Sequence, residues 1–180
     1  MAAKEIAGVS LEEELKDIIR ERDEINKDRF DRVIEESVVL DIDGAMAMDE
    51  FFKLAARNIC SSLKETPEYV VDLLVDREKQ SSTVLRPGLA IPHIIVEGRE
   101  KFIILIARSK GGISFPMQEE KVHTVFVIAG SEDERDFHLR ALSAIAQIVQ
   151  DPHFARKWRL AKNEEAIRDI ILLGERKRHK

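Results

Sequence analysis

Histidine is the residue type in this sequence best suited to chemistry near neutral pH. Five positions carry it: His93, His123, His138, His153 and His179. No two of them lie three or four residues apart, so no helix presents a histidine pair to a metal ion. His93 follows the apolar segment 89–91 and Pro92, the place beyond a strand end where α/β sheets bind ligands. A histidine there can hold a backbone carbonyl with one ring nitrogen and present the other to a substrate, so His93 is the first candidate for a functional residue.

The sequence lacks the short motifs of several common activities. It contains no P-loop and no GxGxxG, GxSxG, HExxH or EF-hand pattern. Nucleotide, flavin, serine-hydrolase and common metal chemistry are therefore not predicted. Neither a metal nor a cofactor is expected.

Composition excludes further classes of protein. The 180 residues include 29 Lys and Arg against 34 Asp and Glu, and this net charge of −5 disfavours binding to nucleic acid. The longest apolar stretch, residues 102–107, is far shorter than the roughly 20 residues of a membrane-spanning helix, so no direct membrane insertion is expected. Cys60 is the only cysteine, which excludes an internal disulfide and makes the cytoplasm the expected location.

Apolar runs alternate with helix signals and predict a three-layer α/β/α sandwich with a mixed β-sheet. The two longest apolar runs, 102–107 and 122–129, indicate strands that are covered on both faces. Gly111 and Gly112 predict a turn between them, and Ser131 with Glu134 predicts a capping box that opens a helix. Further strands are predicted at 38–42 and 89–91, and helices at 49–63, 67–79, from 131 to before 152, 154–160 and 164–173.

Charge divides the chain into an extension, a domain and a tail. Residues 1–36 are predicted to form an acidic helical extension or linker, because residues 11–36 hold eleven acidic and six basic side chains. A narrow apolar seam runs along it at Leu11, Leu15, Ile18 and Ile25. Such a seam is typical of either a loosely packed solvated helix or a docking arm. Residues 37–174 are predicted to form the compact domain, and 175–180 a frayed basic tail.

Several motifs follow one another in the predicted domain. The segment VDREKQSSTVLRPGLAIPH occupies residues 75–93, FHLRAL occupies 137–142, and similar closing motifs stand at 151–154 and 164–167. In this order they resemble the type 2 enzyme IIA domains of the bacterial phosphotransferase system, the fructose, mannitol and nitrogen-related group. In that family the GIAIPH-like run ends at the histidine that carries a phosphoryl group. The resemblance covers residues 38–173 and implies the enzyme IIA fold.

The resemblance implies a phosphocarrier in which His93 is phosphorylated. It assigns Arg77 the role of a permanent cation beside the phosphate and His138 that of a hydrogen-bond donor near a helix N-terminus. Arg86, nearer to His93 in sequence, is a second candidate for phosphate binding. From the residues alone, His138 also fits a hydrogen-bonded histidine at the core edge, and Arg77 a surface residue at a helix end. We assign His123 and His153 to structure.

The expected donor is a phosphorylated histidine carrier protein, and the expected acceptor is a permease domain or a regulated target protein or transporter. Ile94 departs from the small residue that usually follows the active histidine in the family, and we expect it to crowd the docking carrier. With the acidic extension, this favours a regulatory role over a sugar-specific component. The second hypothesis is a non-catalytic regulatory domain of a membrane transporter, for example a cation/proton antiporter, whose cleft binds an anion or a partner without turnover.

Overall fold

The structure, a computed structural model, describes residues 27–178. Most of the predicted acidic extension, including its apolar seam, lies outside the described residues. The described strands are β1 (Val38–Ile42), β2 (Met46–Ala47), β3 (Val84–Arg86), β4 (Leu89–Ala90), β5 (His93–Val96), β6 (Phe102–Ser114) and β7 (Val122–Ser131). The described helices are α1 (Arg29–Glu35), α2 (Met48–Leu63), α3 (Pro67–Gln80), α4 (Arg135–Val149), α5 (Phe154–Leu160) and α6 (Glu164–Leu172).

The strands form one mixed sheet in the order β1-β6-β7-β4-β3, with β2 beside β6 and β5 beside β7. Strand β6 is antiparallel to β7 and parallel to β1, while β4 and β5 both run parallel to β7. Helices α2 and α3 cover one face, and the other four helices cover the opposite face. The predicted three-layer α/β/α sandwich with a mixed β-sheet is confirmed.

The two central strands are buried on both faces. Ile104 and Ile106 of β6 pack with the four-helix layer, whereas Leu105 and Ala107 pack against α2 and α3. All four side chains are fully buried. This two-sided burial is the reason why β6 and β7 are nearly continuous apolar runs.

Capping side chains set the beginnings of two helices where the sequence predicts them. Thr66 accepts a hydrogen bond from the Tyr69 amide at the start of α3, and Asn163 accepts one from the Ala166 amide at the start of α6. The observed helix bounds follow the predicted ones closely. Within residues 27–178, no helix is both long and apolar enough to cross a membrane.

Two local predictions between β6 and α4 are wrong. Gly111 and Gly112 do not form a turn between strands: β6 continues through them, with an irregular register against β7 between Arg108 and Ile113. Gly112 has φ of +87°, which a glycine adopts at little cost. Ser131 does not cap a helix, because its hydroxyl accepts from the Lys101 amide and a 3₁₀ turn at Glu132–Glu134 precedes α4.

The packed part of the chain extends beyond residues 37–174 at both ends. Phe30 and Ile34 of α1 are buried in the four-helix layer, although the sequence places them in the extension. The Arg176 guanidinium makes two hydrogen bonds of 2.7 Å to Asp28, lies 3.1 Å from Asp31 and stacks on Phe30. The prediction of a frayed tail is therefore wrong for Arg176. The desolvation cost of burying its guanidinium is offset by charge pairing with Asp28 and Asp31 at the start of α1.

Candidate functional site

His93 lies at a break in the outer part of the sheet. Strands β4 and β5 pair with β7 one after the other, and Pro92 between them accepts a hydrogen bond from the Ile128 amide through its carbonyl. Within the described sheet, β5 pairs with β7 alone and no strand lies on its other side, because β3 pairs with β4. Strand β5 is therefore an edge strand. The sequence predicts that the strand ends at His93, whereas His93 is the first residue of β5. Its side chain is half-buried at this edge, where both helical layers can reach it.

Both ring nitrogens of His93 have partners. Nδ1 lies 2.8 Å from the carbonyl oxygen of Ile91, and Nε2 lies 3.2 Å from Nη2 of Arg77. A carbonyl only accepts and a guanidinium only donates. These contacts therefore select the tautomer with the proton on Nδ1 and the lone pair on Nε2.

Arg77 comes from the last turn of α3, in the layer opposite to α4. Its Nη1 donates to both the carbonyl and the hydroxyl oxygen of Ser81, at 3.0 and 3.2 Å. The neighbouring Glu78 accepts from the amide and the hydroxyl of Thr83, which folds the 81–83 loop back onto the helix. Sequence reasoning missed Ser81, although the small polar stretch after the DRE run was a signal for it.

His138 comes from the first turns of α4, in the other layer. Its ring centre lies 5.7 Å from that of His93, and the two rings are nearly perpendicular. The side chain is only 5% exposed, and its Nδ1 has no hydrogen-bond partner among the described residues. Burial, with a smaller contribution from His93, lowers the pKa of His138 from 6.5 to about 4. His138 is therefore neutral at pH 7, with one N–H to donate.

The lowered pKa of His138 predicts a particular dependence of stability on acid. Below about pH 6.5 the unfolded chain takes up a proton at His138 that the folded protein does not bind until about pH 4. Stability from this group is thus lost as the pH falls through that window, with a slope of at most about 1.4 kcal/mol per pH unit. In urea unfolding between pH 4.5 and 7.5, the free energy of unfolding of wild type relative to that of His138→Gln should fall as the pH is lowered. Parallel curves would contradict the lowered pKa.

The other predicted residues lie in different surroundings. Arg86 is exposed at the end of β3 and, in the described part of the chain, makes no hydrogen bond or ion pair with Arg77, His93 or His138. The expectation that Ile94 crowds a docking partner is wrong, because its side chain is buried against α2 and α3.

The two histidines assigned to structure lie elsewhere: His123 contacts the Ser109 carbonyl, and His153 precedes α5. Among residues 27–178, no three His, Cys, Asp or Glu side chains are grouped to hold a metal ion.

The structure thus brings Arg77, His93 and His138 together from both layers and the sheet edge. A permanent cation, a neutral N–H donor and an imidazole lone pair meet there. This set can bind a tetrahedral anion and offers a nucleophile to it.

Comparison with known proteins gives a family for the chain. Residues 33–173 match the family model described as "Phosphoenolpyruvate-dependent sugar phosphotransferase system, EIIA 2". A nitrogen regulatory protein of Bradyrhizobium diazoefficiens is 34% identical over 105 residues, which are 58% of this chain and 69% of that protein. The fructose-specific EIIABC component of Bacillus subtilis is also 34% identical, over 56% of this chain but only 16% of its own length.

Solved structures show the same fold. The nitrogen regulatory protein IIA-Ntr of Neisseria meningitidis superposes with a TM-score of 0.67 at 24% identity, covering 74% of this chain and 92% of that one. The mannitol enzyme IIA of Escherichia coli, solved in complex with phosphorylated enzyme IIB, gives a TM-score of 0.61 at 19% identity and covers 74% and 92%.

Proposed function

Because the chain belongs to the EIIA 2 family of the phosphoenolpyruvate-dependent sugar phosphotransferase system, we propose that it is a phosphocarrier that takes a phosphoryl group on His93 Nε2. The observation that carries the proposal is the pair of contacts on the His93 ring. The Ile91 carbonyl holds the proton on Nδ1, and this leaves the nucleophilic lone pair on Nε2, beside the Arg77 guanidinium.

In the proposed step, the Nε2 lone pair attacks the phosphorus of a phosphohistidine on the donor protein. A new N–P bond forms at Nε2, the donor's N–P bond breaks, and its electron pair returns to the donor's ring. Arg77 has to leave Nε2 for this attack, and a guanidinium with five donors can move to the phosphoryl oxygens while it keeps Ser81. The His93 ring gains positive charge when Nε2 becomes bonded to phosphorus. The Ile91 carbonyl, which accepts from Nδ1–H, stabilises that charge.

His138 is proposed to donate a hydrogen bond to an oxygen of the transferring group. It is neutral, it lies beside His93, and it sits in the first turns of α4, where the helix dipole favours a negative charge. Phosphoryl transfer proceeds through a loose transition state, so the protein acts mainly by positioning and by charge stabilisation. Arg77 and His138 supply these from opposite layers.

The proposed donor is a phosphorylated histidine carrier protein in the cytoplasm. The proposed acceptor is a permease domain or a regulated target protein, as the fructose-specific and nitrogen regulatory relatives suggest. These relatives favour the phosphocarrier over the transporter-domain alternative. The direct test is incubation with phosphoenolpyruvate and the two general carrier proteins of the cognate system. The protein should gain one phosphate that is stable in base and labile in acid, since protonation of the nitrogen releases a phosphoramidate; absence of label with competent carriers contradicts the proposal.

Two exposed apolar residues lie close to site residues along the chain, and their side chains are proposed to contact the donor protein. Leu139, beside His138, is 55% exposed, and Ile95, two residues beyond His93 in β5, is 48% exposed. Leu139→Glu should weaken docking and raise the apparent KM for the phosphorylated donor about tenfold, with kcat little changed, as for a moderate interface residue. Steady-state transfer at varied donor concentration measures both constants.

Leu160→Glu is the matched control for docking, because Leu160 is 60% exposed on α5. It should leave KM unchanged. An equal rise of KM in both variants would mean that added negative charge, rather than the Leu139 contact, repels the donor.

A further inference from the structure

Helix α1 contacts the beginning of the helix that carries His138. Arg29, the first residue of α1, donates to Glu134 Oε2 at 2.5 Å. Its guanidinium carbon lies 4.1 Å from the centre of the Phe137 ring, within the range of a cation–π interaction. Glu134 is the N-cap residue of α4, and Phe137 directly precedes His138. One side chain therefore holds both ends of the first turn of α4.

Aromatic rings continue this contact to the site. The Phe137 ring centre lies 4.6 Å from that of Phe102, the first residue of β6. Phe102 in turn lies edge-on to His138, with ring centres 6.0 Å apart. Arg29, Phe137, Phe102 and His138 thus form a continuous chain of contacts that ends beside His93.

The orientation of the His138 ring depends on such packing. Its buried Nδ1 has no hydrogen-bond partner in the described part of the chain. The N-cap residue of α4, Glu134, makes no side-chain capping hydrogen bond. A hydrogen bond at Nδ1 and a cap are the usual means of fixing a ring and a first helical turn. Here the ring packs against Phe102, which is itself in contact with Phe137.

We propose that Arg29 is a positioning residue, which holds Glu134 and Phe137 and thereby fixes the His138 ring toward His93. Its effect on phosphoryl transfer rests on the proposed function. Arg29 precedes residues 33–173, so it lies outside the family match, whereas its partners Glu134 and Phe137 lie inside it. Helix α1 is accordingly part of the machinery that prepares the site.

The contact is suited to position α4 without dominating the stability of the fold. The Arg29 side chain is 46% exposed, and partly exposed ion pairs contribute little to stability. Arg29→Met, which keeps an apolar stem over Phe137, should therefore fold. Arg29→Lys keeps the charge and can reach Glu134.

The first arm of the test measures single-turnover transfer from the phosphorylated donor to His93. Arg29→Met should slow transfer about fivefold, in the range of couplings carried through packed side chains. Arg29→Lys should restore most of the rate. Arg32→Met is the matched control, because Arg32 lies on the same helix, is exposed and has a side chain whose hydrogen bond among the described residues goes to the Lys27 carbonyl; it should not slow transfer.

A double-mutant cycle separates positioning from a general structural effect. In a His138→Ala background, Arg29→Met should cause no further loss, because the ring that Arg29 positions is absent. Equal losses with and without His138 overturn the proposal.

The second arm does not depend on labelling. The ring-nitrogen NMR shifts of His138 should change in Arg29→Met, remain near wild type in Arg29→Lys and be unaltered in Arg32→Met. Unchanged shifts in Arg29→Met overturn the positioning role. If the wild type takes no label, the proposed function fails, and these shifts alone decide the positioning role.

Discussion

His93→Ala is expected to abolish the acid-labile phosphate that the wild-type protein gains from phosphoenolpyruvate through the carrier proteins. The substitution removes Nε2, which carries the lone pair for attack. His138 cannot replace it as the nucleophile: its side chain is 5% exposed, and burial lowers its pKa to about 4, so its ring is a weak base in this setting. The label should fall to background in an assay of radioactive phosphate retained at alkaline pH.

His123→Ala is the matched control for this loss. Nδ1 of His123 also lies 2.8 Å from a backbone carbonyl, that of Ser109, yet among the described residues His123 makes no hydrogen bond or ring contact with Arg77, His93 or His138. His123→Ala should keep full labelling. Label retained by a folded His93→Ala protein would move the nucleophile to another residue, which peptide mapping would then identify.

The sequence was sufficient to predict the layers, and the family resemblance predicted three residues that lie together, Arg77, His93 and His138. Apolar runs with two buried faces require helices on both sides, and this holds at Ile104–Ala107. The motifs around Arg77, His93 and His138 are local, and it was their resemblance, in this order, to the enzyme IIA family that singled these residues out. The tautomer of His93 follows only from its two partners in space, and Arg77 lies 16 residues away in sequence.

Other features depend on geometry that a sequence pattern does not fix. A Gly-Gly pair such as Gly111 and Gly112 is compatible with both a turn and an irregular strand. Only the pairing of β6 with β7 distinguishes these two conformations. Whether Ile94 faces the core or a partner depends on the residue at which β5 begins, since side chains alternate along a strand. Arg29 and Glu134 are 105 residues apart, and nothing in either segment indicates the other.

Arg77→Met is expected to slow phosphoryl transfer to His93 by about 10² to 10³-fold, the usual cost of losing one preorganised charge-stabilising group. Arg77 is the only one of the two candidate cations, Arg77 and Arg86, that contacts the His93 ring in the described structure. Negative charge spreads over three oxygens in the transition state, and a fixed cation stabilises it there. Single-turnover transfer at saturating donor concentration measures this effect separately from docking.

Two further variants, Arg77→Lys and Arg86→Met, test whether the loss of rate comes from the guanidinium of Arg77 at the phosphate. Lysine keeps the positive charge but cannot donate from a planar fork to Ser81 and to the phosphate together, so Arg77→Lys should recover only part of the rate. Arg86→Met should stay near the wild-type rate, because Arg86 is exposed and, in the described part of the chain, makes no hydrogen bond with Arg77, His93 or His138. If Arg86→Met were instead the slower protein, the phosphate would be bound from the β3 side of the break at Pro92. Arg77 would then serve mainly to hold the end of α3 against Ser81.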